Sequence, residues 1–116
     1  MKNLIGGLTL LTLSTTSSFT FAGEGSSCHF HGKRLAQEST VEQCANQRRD
    51  IYLRNGTLDA SWSEVTPASI EVVDGKKGKE WKVRFDNPNA KDSAKSKLYM
   101  FFSAPGNFIA ANYTGK

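Results

Sequence analysis

The sequence predicts an α+β domain: one main N-terminal helix packed on a four-stranded antiparallel sheet made of two hairpins. Three observations carry this. Apolar residues recur at helical spacing between Val41 and Tyr52. Two alternating segments flank Asp74–Lys79, and two more flank Pro105-Gly106. Each hairpin, paired in its own register, gathers its apolar residues on one face, so two independent registers supply two halves of one sheet surface.

Ahead of the domain, Met1-Lys2-Asn3 carries one positive charge and Leu4 to Leu13 is mainly apolar. Thr20-Phe21-Ala22 then closes a run of small and hydroxylated residues. This is the order of a secretory leader, with small residues at the −3 and −1 positions. Residues 1–22 are therefore expected to be a signal peptide cleaved near Ala22, leaving a periplasmic or secreted protein. The leader's apolar stretch is shorter than the ~20 residues that cross a bilayer, and nothing after Ala22 comes nearer to that length. No membrane span is expected in the mature chain. Residues 23–38 read as a flexible arm containing Gly, Ser and His, and residues 39–116 as a single domain.

In the helix, Ser39 and Glu42 have the spacing of a capping box, in which each side chain satisfies a free backbone amide. Val41, Cys44, Ala45, Arg48, Ile51 and Tyr52 then form one stripe, with Arg48 its polar interruption. Asn55-Gly56 ends the helix, because glycine enters the left-handed conformation without steric cost. Leu58 and Trp62, four apart, suggest one further helical turn before Pro67.

The first hairpin joins Ser69–Val73 to Glu80–Asp86 through Asp74–Lys79. Pairing Val73 with Glu80 puts Ile70, Val72, Trp81, Val83 and Phe85 on one face and sets Glu71 opposite Lys82 on the other. The second joins Leu98–Ser103 to Phe108–Tyr113 through a turn at Pro105-Gly106. Pairing Ala104 with Asn107 gathers Leu98, Met100, Phe102, Ile109, Ala111 and Tyr113. The opposite face then shows Tyr99, Phe101, Phe108 and Ala110. Aromatic area on the free side of a sheet marks an interface or is covered by another part of the chain, here the arm or the 87–97 loop. Tyr99, Phe101 and Phe108 are the candidate binding residues.

The formal net charge is +4, from 15 Lys and Arg against 11 Asp and Glu. Lysines cluster at Lys76, Lys77 and Lys79 and at Lys91, Lys95 and Lys97, in segments that read as loops. Such clusters serve solubility or meet an anionic surface; export argues against nucleic acid as a partner.

Five segments carry a resemblance: Leu58–Trp62, Pro67–Glu71, Glu80–Val83, Leu98–Ser103 and Phe108–Lys116. Over residues 40–116 the chain resembles an uncharacterised family of small exported proteobacterial proteins, with a layout loosely similar to PepSY domains. The resemblance implies an α+β fold and an envelope compartment, and brings no established activity and no functional residues. The His-rich arms of such proteins are reduced here to His29 and His31.

The densest chemical constellation is Cys28-His29-Phe30-His31 with Cys44 sixteen positions on. In an oxidising compartment Cys28 and Cys44 are expected to form a disulfide worth about 3 kcal/mol by loop closure. The alternative is a zinc or copper site formed by Cys28, His29, His31 and Cys44. In an extended arm His29 and His31 project to one side and Cys28 to the other, so joint ligation requires a turn.

Catalysis has less support. Asp59, Glu64, Glu71 and Asp86 are not spaced to share a cleft, and Cys44 with His29 lacks an orienting third group. Gly75 and Gly78 sit in a hairpin turn rather than before a helix, so they form no phosphate loop. The expected role is thus a non-enzymatic envelope module, without cofactor, that binds a protein or peptide partner or a second copy of itself through its sheet.

Overall fold

The computed structural model describes residues 28–116, so the expected signal peptide and the first residues of the arm lie outside the described residues. Helix α1 (Glu38–Arg54) precedes strands β1 (Pro67–Gly75), β2 (Gly78–Asp86), β3 (Lys97–Ser103) and β4 (Phe108–Asn112). The strands form one antiparallel sheet in the order β1-β2-β3-β4, and the helix packs on it. Short 3-10 turns occupy Ala60–Trp62 and Ser93–Lys95. Among the described residues no helix is long and apolar enough to cross a membrane.

The core lies between α1 and one face of the sheet. Val41, Cys44 and Ala45 of α1 meet Trp81, Val83 and Phe85 of β2 and Leu98, Met100 and Phe102 of β3, with Leu58 and Trp62 closing one end. Leu58 and Trp62 are placed by the turn their spacing predicts. That turn is capped by Asp59, whose carboxylate accepts the Ser61 amide at 2.9 Å.

The helix starts two residues earlier than its expected capping box requires. Gln37 is the N-cap, its carbonyl accepting from the Thr40 and Val41 amides, and no side chain caps the helix. The chain entry is set just upstream, where the Ala36 amide donates to the Ala104 carbonyl at 2.8 Å. The helix stop is as expected. Asn55 donates to the Ile51 carbonyl, and Gly56 turns the chain at φ +84°.

Val73 pairs with Glu80 and Glu71 with Lys82, as expected for the first hairpin. Its connection is tighter than the predicted six residues. The ladder continues to Gly75 opposite Gly78, leaving Lys76 and Lys77 as the turn. On β1 the helix-facing side is covered only in part: Ile70 packs against the core, whereas Val72 remains 39% exposed.

In the second hairpin the expected register holds from Tyr99–Asn112 to Phe101–Ala110 and fails at the turn. Ser103, not Ala104, closes the loop, its amide donating to the Asn107 carbonyl at 2.7 Å, and Gly106 takes φ +110°. This three-residue loop pairs Phe102 with Phe108, and a bulge absorbs Ile109 before the outer register resumes. Phe108 and Ile109 therefore exchange sides. Phe108 packs toward the core and Ile109 is 49% exposed.

Candidate functional site

The side of the sheet turned away from α1 is built in cross-strand rows. One row runs Glu71, Lys82, Phe101, Ala110, and the next runs Ser69, Arg84, Tyr99, Asn112. Alternation along each strand puts these residues opposite the core by the same register that buries Val83 and Met100. Lys82 lies between the two aromatic residues, its Nζ 5.2 Å from the Tyr99 ring centroid and 5.9 Å from that of Phe101. Both are within cation–π reach.

The three candidate binding residues have separate fates. Phe101 stays on this outer face and is half-buried. Tyr99 is also on it, but the segment after β4 folds back over its ring. Asn112 Oδ1 accepts the Thr114 and Gly115 amides at 3.1 and 2.7 Å, and a Cβ at position 115 would stand 3.1 Å from Tyr99. Phe108 does not join the group. The bulge turns it to the other side, where its ring meets Phe102 and Tyr52 edge-on at 5.7 and 6.4 Å and Arg48 stacks 4.0 Å from its centroid. The odd loop length is the physical reason, since a one-residue slip reverses every side chain it reaches.

Elsewhere on the outer face, charges are satisfied within the sheet. Asp86 accepts from Arg84 at 2.9 and 3.2 Å and lies 3.4 Å from Lys97. Partial burial pushes its pKa up, but Arg84 and Lys97 outweigh this and hold it below the usual carboxylate value. Asp59 is likewise held low, by its hydrogen bonds from Ser61.

A shallow depression crosses the face from the β1–β2 turn to the β3–β4 loop and the residues after β4. Val73, Phe101 and Ile109 give it apolar surface, and Leu35 of the arm, 47% exposed, adjoins it. Sequence patterning missed Leu35 and Ile109. The first lies in a segment whose composition reads as loose, and an uninterrupted register puts the second in the core.

Among the described residues the arm is tied to the domain at Cys28, Phe30 and Ala36. Cys28 and Cys44 form the predicted disulfide, tying the arm to α1. The Phe30 amide donates to Asn107 Oδ1 at 2.7 Å, and Asn107 Nδ2 donates to the Phe30 carbonyl at 2.8 Å. The Phe30 ring also lies against Gly106, where a Cβ would stand 3.0 Å away.

The disulfide removes both thiolates from the alternative zinc or copper constellation. His29 and His31 remain exposed, their ring centroids 5.1 Å apart. Among the described residues, no group of three or more His, Cys, Asp or Glu is placed to hold a metal ion.

A family model described as a family of unknown function (DUF6488) matches residues 1–116. No curated protein and no solved structure matches the chain.

Proposed function

The chain belongs to this family of unknown function along its whole length, and from that premise we propose a non-enzymatic, exported envelope module that binds a protein or peptide on the outer face of its sheet. Phe101 carries the reading. It stands on the side of the sheet that the core does not use, beside Lys82 and Ala110, while the helix-facing side is packed without it. Aromatic residues in such positions dominate binding energy at interfaces. Export rests on the order of charges and small residues in Met1–Ala22. The Cys28–Cys44 disulfide supports it, because such bonds persist in oxidising compartments. A proteobacterial source and a PepSY-like layout belong to the same proposal.

Phe101→Ala is the test. The mature chain is immobilised, a partner from envelope extract is purified, and its affinity is titrated against both forms; a second copy of the chain is tested by sedimentation. The variant should bind about thirtyfold more weakly, the scale of a 2 kcal/mol hot spot, with its melting transition nearly unchanged. Unchanged association with a loss of stability of about 3–5 kcal/mol would instead make Phe101 a core residue.

A further inference from the structure

We infer that the partner taken by this face is an acidic, extended peptide segment with an apolar anchor, a refinement that rests on the peptide-binding reading above. The depression around Phe101 is lined by six lysines, Lys33, Lys76, Lys77, Lys79, Lys82 and Lys116, against two carboxylates, Asp74 and Glu80. Asp74 is already held by Lys79 at 2.6 Å. Among the described residues, Lys79 is the one lysine of the six in an ion pair. Farther along the same face, Arg84, Asp86 and Lys97 compensate one another. With Lys82 set opposite Glu71, the lysines Lys33, Lys76, Lys77 and Lys116 still leave an excess of positive charge where the apolar surface is, and a ligand matching both must be anionic around an apolar group.

The shape favours a peptide over a membrane. Phe101 is half-buried, while Lys33, Lys76, Lys77, Lys79 and Lys116 are exposed. A flat anionic bilayer would rest on the lysines, whereas a single side chain of an extended peptide can enter between them to reach Phe101. Val73 and Ile109 offer further apolar contact beside it.

Three fluorescent decapeptide pools test the inference on the mature, oxidised protein. Each has a central Leu or Phe, flanked by Glu, by Ser or by Lys, and vesicles of phosphatidylglycerol in phosphatidylcholine serve as a fourth probe. The Glu-flanked pool should bind about tenfold more tightly than the Ser-flanked pool. That advantage should shrink as salt shortens the screening length to about 8 Å. It should vanish in the Lys76→Glu/Lys77→Glu variant, whose changes lie in an exposed turn, and in Lys33→Glu/Lys116→Glu should the first fail to fold. Equal binding of all three pools would overturn the acidic preference and leave peptide binding standing. Binding to phosphatidylglycerol vesicles without preference among the pools would overturn it in favour of a lipid surface. If no pool and no vesicle binds, the reading of this face as a peptide surface falls, and the inference with it.

Discussion

Asn107 shows how one side chain can act as a piece of backbone. Its amide group pairs with both main-chain groups of Phe30, as a neighbouring strand would, across a sequence separation of 77 residues. Its own main chain closes the β3–β4 loop, the amide donating to Ser103 Oγ at 3.0 Å and the carbonyl accepting from Ser103. Asn107→Ala strips the partner from a half-buried donor and acceptor of Phe30. Equilibrium denaturation should show a loss of about 1–3 kcal/mol. Asn107→Asp, which keeps the acceptor but sets a carboxylate oxygen against the Phe30 carbonyl, should also be destabilised relative to the native chain. A loss below about 0.5 kcal/mol for the alanine variant would show that the pairing does not hold the arm. None of this was legible locally, because an Asn after Pro-Gly reads as an ordinary turn residue.

The elements divide by how local their determinants are. The first hairpin was legible because alternation, the Glu71–Lys82 pair and the glycines around the turn all require one register. The Leu58–Trp62 turn was legible from spacing alone. The second hairpin was legible only in its outer half. Ala104-Pro105-Gly106-Asn107 suits a two- or a three-residue loop, and the longer one forms where Asn107 is held by Phe30 and the Ala104 carbonyl receives both Ala36 and the Trp81 indole. The bulge at Ile109 follows, and with it the displacement of Phe108 from the candidate site. The start of α1 is a parallel case. Ser39 has the right neighbour for a capping box, yet Gln37 begins the helix. Ser39→Ala should therefore change unfolding free energy by no more than about 0.5 kcal/mol. A loss near the ~1 kcal/mol typical of a deleted cap would restore the box.

Across the whole molecule, the Cys28–Gln37 segment ties α1 to the β3–β4 loop from outside the core. It is bonded to α1 through Cys44 and hydrogen-bonded to the β3–β4 loop through Phe30 and Ala36. Replacing both cysteines by serine should cost about 3 kcal/mol and lower the melting temperature by roughly 4–8 °C per kcal/mol for a domain of this size. Amide exchange should quicken at Phe30 and Ala36 while the β2–β3 ladder stays protected. Equal acceleration throughout would mean that the sheet does not stand without the bridge. The two outermost strands have a further consequence in common. β1 is interrupted between Pro67 and Ser69, and Pro67 has no N–H to donate; β4 is interrupted beside Ile109 and spans only five residues. A row of unpaired main-chain groups invites open-ended stacking of one copy on another, the first step toward fibrils, and bulges, proline and short length all break that row. By this means the sheet can present an apolar face to a partner while β4, and the Pro67 end of β1, offer no continuous row to a second copy.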